Sequence, residues 1–518
     1  MAAYGSRIAG YSKGQSDLDL LVVLREYPPK VRYKYLKGKI DLSALLVDRD
    51  SLVADAERAY LGEFVVGRLL NTYQPIEGEE FLSDVENRFK GRVILETLVE
   101  LASQYGEFAN NLLIPPDYFL FEKLRKRSSQ YPPALYSYIR TYTGPRSPEN
   151  VIAAKKGFEY YLRKLATENF LDFNDGFAHL KKGAVKGGQL VRLSNLITTT
   201  KRGATSYLVH GWAGRVSFDV VRRESMSKLR RSRESGSPPS TLSTPKNLLR
   251  IPEGELLIEE KDWSAQLPKI LKLGSKAKIR KQRLGEIYSP TWIYTLKERR
   301  REDRVVVKKF RDVWSPKWAL TYVWAIPSKR LSMTPLERLS REYFGLGMLR
   351  KHGFMTPEVV AVQLSHRILM RKFIDGVTLD EIASDIVNER IDGAEAVAHF
   401  GEILSRIHSL GMSFGDTKPN NYVINNKDDK IYLLNLEQLS EGGDQAWDIA
   451  EFLYYSVKLA VNSKGPRALA DAFREGYLKH GSADKLQRAA RLKYLLPFQP
   501  FLFPPVINEI RRQLQSSR

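Results

Sequence analysis

The stretch FGDTKPNNYVI, residues 414–424, places a carboxylate, a lysine and an amide at intervals of two and five: Asp416, Lys418 and Asn421. It follows a run with helical spacing of apolar residues, GEILSRIHSLGM (401–412). Transfer of a phosphoryl group needs these three kinds of side chain. A base orients the acceptor hydroxyl, a cation steadies the terminal phosphate, and an amide oxygen can hold a metal ion.

Working outward, RVVVKKF (304–310) is an apolar strand run ending in lysine, and RLSREYFGLGMLRKHGF (338–354) has helical character. RILMRKFIDG (367–376) and IYLLNLEQL (431–439) are further strand runs, and GGDQAWDIAEFLYY (442–455) begins another helix. This ordered series resembles the protein kinases, in particular the small atypical ones: the RIO family and the kinase of the KEOPS tRNA-modification complex. The resemblance implies Asp416 as catalytic base, Lys418 as phosphate partner and Asn421 as metal ligand. It further implies that Lys308 grips nucleotide phosphates, that Glu342 pairs with it, and that Asp448 braces the catalytic loop. LGEIY (284–288) would be a reduced phosphate-covering loop. The family's second metal ligand is an aspartate, and Asn435 stands in its place. A neutral oxygen suits a hard cation less well. Three outcomes stay open: slow transfer, recruitment of Glu437, or nucleotide binding without transfer.

A second site is written into GSRIAGYSKGQSDLDLLVV (5–23). Gly5-Ser6 forms a tight turn able to meet phosphate oxygens. Asp17 and Asp19 are one residue apart, so on a strand they share a face. Two carboxylates so close need a cation between them, and Mg²⁺ with triphosphate oxygens supplies it. Asp41, on the following apolar run KIDLSALLV (39–47), is the candidate third carboxylate, as ligand or general base. The string resembles the minimal nucleotidyltransferases of the DNA polymerase beta-like superfamily. That resemblance implies phosphate binding by Gly5 and Ser6, metal binding by Asp17, Asp19 and Asp41, and transfer of a nucleoside monophosphate. In that superfamily a helix and a strand precede the Gly-Ser turn, whereas here only MAAY does. This predicts either a start assigned too late or a truncated first strand.

Between these sites, FKGRVILETLVELASQYGEFANNLL (89–113) predicts a helix stopped by the prolines of IPPDYF (114–119). A helix over 148–167 and a hairpin over 170–180, turning at Asn174-Asp175-Gly176, allow two readings: a winged helix or an ordinary helical linker domain. His210 and Trp212 either stack on bases or pack in a small β unit. Arg222 to Arg233 is strongly basic and runs into SGSPPSTLSTP, the composition of a flexible linker.

The 518 residues carry a formal net charge of +22, which favours polyanionic partners or simply serves solubility. The absence of cysteine excludes disulfides, thiolate zinc sites and cysteine nucleophiles. No signal-peptide core opens the chain, and LLPFQPFLFPPVI is too short and proline-broken to cross a bilayer. The expectation is therefore an α+β multidomain cytoplasmic transferase without a membrane partner. It has an α/β nucleotidyltransferase head (1–50), a mainly helical middle (51–221), a basic linker (222–250) and a bilobal kinase-like domain (251–518). ATP or another nucleoside triphosphate and Mg²⁺ are the expected cofactors, and a protein hydroxyl the expected acceptor, with tRNA or other RNA as a second partner. The alternative is a nucleotide-binding or RNA-associated sensor without transfer activity.

Overall fold

Short apolar runs separated by glycine turns build the first sheet of this computed structural model. The model describes residues 1–14, 16–28, 31–131, 133–181, 239–258, 263–274, 277–284, 290–311, 334–390 and 393–516. Most of LGEIY, the aromatic segment 202–221 and the basic run after Arg222 lie outside these residues. The fold is α+β, with mixed sheets and long helices, and it divides into two compact units, Met1–Pro252 and Glu253–Arg518. No helix among the described residues is long and apolar enough to cross a membrane.

In the first unit, β1 (Ala2–Tyr4), β2 (Leu18–Leu24), β3 (Arg32–Leu36), β4 (Leu42–Asp48) and β5 (Gln74–Pro75) form one sheet in the order β3-β4-β2-β1-β5. β2 and β4 are parallel and the other pairs antiparallel. MAAY therefore contributes an inner strand, with Ala2, Ala3 and Tyr4 all buried. The sheet also reaches past residue 50, because β5 hydrogen-bonds to β1.

Helices α1 (Arg49–Arg58), α2 (Glu79–Tyr105), α3 (Pro116–Gln130), α4 (Pro133–Thr143) and α5 (Ser147–Thr167) complete this unit. The helix expected over 89–113 begins ten residues earlier, after the left-handed Gly78, and breaks at Gly106. The prolines of IPPDYF do not stop it. Pro116 instead opens α3, where a missing N–H loses nothing. β6 (Leu171–Asn174) and β7 (Phe177–Leu180) form the expected hairpin, turning through the positive-φ residues Asp175 and Gly176. Ala178 exchanges backbone hydrogen bonds with Ile114, which ties the hairpin to the loop before α3. The last residues of the expected linker are also packed. Leu242 and Leu249 are buried, and Arg250 exchanges hydrogen bonds with Leu113. Leucines spaced through a Ser/Pro-rich stretch anchor it, which composition alone does not reveal.

In the second unit, β8 (Glu255–Leu257), β9 (Lys278–Leu284), β10 (Thr291–Glu298), β11 (Arg301–Lys309), β12 (Val359–Gln363) and β13 (Ile368–Lys372) form a sheet ordered β8-β12-β13-β11-β10-β9. One face packs on α6 (Trp263–Ile270) through Leu267, Leu271, Tyr294, Val305 and Met370. Val306 and Lys308 alternate with Val305 and Val307, so they face the other side. Helix α7 (Pro335–Lys351) is capped by Thr334, whose hydroxyl accepts from the Glu337 amide.

After this sheet come α8 (Leu379–Val387), with a Thr378–Glu381 capping box, and α9 (Ala394–Ser409). A small sheet of β14 (Gly376–Thr378), β16 (Tyr422–Asn425) and β17 (Ile431–Leu433) follows, and β15 (Met412–Ser413) pairs with β18 (Ser440–Glu441). Helices α10 (Gln445–Ser456) and α11 (Lys464–Leu478) close a core around Phe400, Phe452, Phe473 and Tyr422.

Candidate functional site

Lys308 near the end of β11 is buried, and a buried ammonium survives only with partners. Its Nζ donates to Glu342 Oε2 on α7 at 2.6 Å and to Asn435 Oδ1, just past β17, at 2.7 Å. Glu437 Oε2 lies 3.3 Å away and also 3.6 Å from the Arg338 guanidinium. Burial pushes Lys308 down, but Glu342 and Glu437 outweigh it and hold the ammonium above its ordinary range. Asn435 continues the chain, its Nδ2 donating to Asp416 Oδ2 at 3.2 Å. Asp416 Oδ1 is 3.1 Å from Lys418 Nζ, and this carboxylate raises the lysine's pKa against burial. Asn421 Nδ2 donates to the Asp416 backbone carbonyl at 3.0 Å. The structure thus brings Lys308, Glu342, Asn435, Asp416, Lys418 and Asn421 together in one hydrogen-bonded group.

The loop carrying Asp416 is fixed from below. Asp448, fully buried on α10, accepts from the amides of Phe414 and Gly415 at 2.7 Å each. His408 Nε2 lies 3.1 Å from the same carboxylate, and its Nδ1 is 2.7 Å from the Tyr477 hydroxyl. One turn further along α10, Glu451 Oε2 accepts from the Thr417 amide at 2.7 Å. The sequence reading missed Glu451 and His408. The Asp448–Glu451 spacing of three on a helix was the available signal, since it puts both carboxylates on one face. Asp448→Ala leaves two buried N–H groups without acceptors, at about 1–3 kcal/mol each. It is expected to destabilise the second unit by about 3–5 kcal/mol in urea unfolding, and a change below about 1 kcal/mol would show that the loop holds itself.

The metal position expected at Asn421 and Asn435 does not fit a hard divalent cation. Asn435 Oδ1 is already engaged by the Lys308 ammonium, and its Nδ2 hydrogens face Asp416. Asn421 Nδ2 is spent on a backbone carbonyl, leaving one neutral oxygen. Among the described residues, no group of three or more His, Asp or Glu gathers closely enough to hold a metal ion.

In the first unit, the antiparallel pairing of Tyr4 with Asp19 sets Gly5 just beyond the Asp19 carboxylate. Gly5 has φ +82°, and a Cβ there would lie 2.1 Å from Asp19 Oδ2. Ser6 begins the turn after Gly5, closed by the Ala9 amide on the Gly5 carbonyl and the Tyr11 amide on the Ser6 carbonyl, both at 3.0 Å. Arg7 Nε donates to the Ser16 carbonyl at 2.9 Å, holding the segment that enters β2. Asp17 precedes β2 and Asp41 precedes β4. The parallel register Leu18–Leu42 places these two beside each other, with the Leu18 amide on the Asp41 carbonyl at 2.8 Å. Asp41 is exposed, however, and its carboxylate accepts from the Gly38 amide of its own turn at 3.3 Å. The register thus sets Asp17 beside Asp41 and Asp19 beside Ser43, while the Asp41 carboxylate is turned into its own loop, so the three expected carboxylates do not gather. A cavity of about 440 Å³ elsewhere in this unit, lined by Glu57, Asp84, Arg88, Tyr160, Tyr161 and Lys164 among others, contains none of these residues.

No family model and no curated protein matches this chain. Among solved structures, a chain described as WbdD in co-crystals with a kinase inhibitor is 14% identical, with a TM-score of 0.26. The alignment covers 44% of this chain and 52% of that one, so this chain spans about half the length of the structure it matches. A likeness at that score assigns neither family nor activity.

Proposed function

We propose that the second unit binds a nucleoside triphosphate, ATP being the expected one, and transfers its γ-phosphoryl group to a hydroxyl of a protein acceptor. The observation that carries this reading is the continuous chain Glu342–Lys308–Asn435–Asp416, which links a phosphate-binding lysine to a candidate base. In the reaction the acceptor oxygen bonds to the γ-phosphorus and the bond to the β–γ bridging oxygen breaks. Asp416 takes the hydroxyl proton, Lys308 meets the phosphates of the leaving nucleotide, and Lys418 lies beside Asp416 to offset charge on the transferred group. Incubating the full chain with γ-labelled ATP and candidate proteins tests this. Label on an acceptor supports it. Binding without label favours the second reading, a nucleotide-binding module without transfer, which the neutral Asn435 supports.

For the first unit the proposal is transfer of a nucleoside monophosphate from a nucleoside triphosphate to an acceptor hydroxyl, whose oxygen bonds to the α-phosphorus as the bond to the α–β bridging oxygen breaks and pyrophosphate leaves. The close approach of Asp19 to the Gly5 backbone supports it, because a phosphate-binding turn and a metal-binding carboxylate must lie side by side. Asp17 and Asp19 would hold Mg²⁺, which binds through one or two carboxylates plus substrate phosphates and supplies charge neutralisation there. Gly5→Ala puts a methyl group against Asp19 in a backbone region alanine disfavours. Transfer from α-labelled ATP is expected to fall at least about tenfold with the unit still folded. Undiminished transfer would remove the turn from the site.

The net charge of +22 supports a polyanionic partner for the whole chain, RNA being the natural one. Retention on an RNA column that decreases with added salt would test it.

A further inference from the structure

Asn435 sits where the resemblance demands a metal-binding aspartate, and its surroundings are arranged for an amide. The orientation of that amide is fixed by its neighbours. An ammonium can only donate, so the oxygen must face Lys308; an ionised carboxylate can only accept, so the NH₂ must face Asp416. Aspartate in the same position would present an oxygen to Asp416, a little over 3 Å away, and two carboxylates that close need a cation or a shared proton between them. The amide removes that requirement by bridging Lys308 to Asp416 directly.

The charges around the bridge tell the same story. Among the described residues, Lys308, Arg338, Arg371 and Lys418 lie against Glu342, Glu437 and Asp416, and Glu451 adds its charge at Lys418. Glu437 is drawn onto Lys308 and Arg338, so it is engaged as an ion-pair partner. Four cations thus meet four carboxylates, and the two lysines at the ends of the bridge are the groups placed to meet phosphate charge. An aspartate at 435 would add a further negative charge between those lysines and pass the task of meeting phosphate charge to a metal.

We infer that the second unit binds nucleoside triphosphate without requiring a divalent cation, the Asn435 amide standing in for the bridge that a metal ion makes. This rests on the reading of that unit as a nucleotide site and specifies which charges serve it. Lys308 contacts the phosphate oxygens and Lys418 lies toward the terminal one. Asn435 is a positioning residue that keeps Lys308 and Asp416 in register.

The test is calorimetric titration of the full chain with ATP, once with EDTA and once with excess Mg²⁺. A Lys308→Met variant is titrated alongside, so that binding lost in it is assigned to the second unit and not the first. The expected result is Lys308-dependent binding whose dissociation constant changes by less than about threefold between the two conditions. Asn435→Asp is expected to reverse this, with Mg²⁺ tightening binding about tenfold or more and raising the melting temperature of the variant. Lys308-dependent binding that disappears in EDTA would overturn the inference while leaving the nucleotide reading intact. Absence of Lys308-dependent binding in both conditions would overturn the nucleotide reading and the inference with it. Should Asn435→Asp fail to fold, the wild-type comparison with and without EDTA decides alone.

Discussion

Asp416→Ala is expected to lower γ-phosphoryl transfer by about 10²–10⁴-fold, the usual effect of losing a positioned general base, while ATP binding stays within about threefold of the unaltered protein. The separation follows from how the loop is held. Its backbone hangs on Asp448 and Glu451 through the amides of Phe414, Gly415 and Thr417, none of which involves the Asp416 side chain. The Asn421 side chain bonds to the Asp416 backbone carbonyl, which alanine retains. Lys308 keeps Glu342 and the Asn435 oxygen, so the phosphate-binding end is undisturbed. The Asn435 amide and Lys418 each lose a partner. Transfer measured with γ-labelled ATP, beside calorimetric binding, separates the two effects. Unchanged transfer would remove Asp416 from the chemistry, and a parallel collapse of binding would mean the side chain is structural.

An equally large stability effect is expected at a residue that belongs to neither candidate site. Glu63 is almost completely buried, with φ +64°, and its Oε1 meets Lys123 at 2.7 Å and Arg92 at 2.9 Å while Oε2 meets Arg127 at 3.2 Å. Asp55 holds the turn beneath it by accepting from the amides of Leu61, Glu63 and Val66. Burial pushes the Glu63 carboxyl up, but Lys123, Arg92 and Arg127 outweigh it and hold the group well below the usual carboxylate range. At Lys123 burial has the larger effect and lowers its pKa, against the opposing charges of Glu63 and Glu96.

Glu63→Gln leaves three buried cations with Glu96 as their remaining carboxylate, 3.0 Å from Arg92 and 3.9 Å from Lys123. Removing one member of a buried ion cluster costs about 3–5 kcal/mol. Urea unfolding of the full chain should show the first unit's transition moving to lower urea and the second's staying in place. The sign of the pH dependence follows from the lowered pKa. The contribution of Glu63 is fully present above its unfolded value of about 4.3 and is lost as pH falls toward the folded one. The unaltered protein should therefore lose stability more steeply below about pH 4.3 than the glutamine variant does. Equal slopes would mean that Glu63 titrates normally.

Much of the local structure is legible in the amino-acid pattern. LDLLVVL, RVVVKKF and RILMRKF are strands because β-branched and apolar residues cluster between turn residues, and β2, β11 and β13 lie there. The turn at Asp175-Gly176 is readable because those residues accept positive φ. The boundaries of α2 were less legible. Gly78 and Gly106 set them through backbone conformation, whereas apolar periodicity runs past both signals. The packing of 239–250 was hidden because Leu242 and Leu249 carry no periodicity and gain meaning only against α3 and the Leu113 strand edge.

The chain by itself determined which residue types are available and in what order. Asp416, Lys418 and Asn421 lie within one loop, so their proximity is covalent. Tertiary structure alone decided the rest, because hydrogen bonds between distant segments depend on where sheets and helices place them. Lys308 meets Glu342 across 34 residues and Asn435 across 127, distances that no local pattern encodes. The same holds for Asn435: in sequence it is a departure from an expected aspartate, and only the folded chain shows its two ends matched to an ammonium and a carboxylate. Glu63 carries no motif at all, and its importance arises from three cations that α2 and α3 deliver to one buried point.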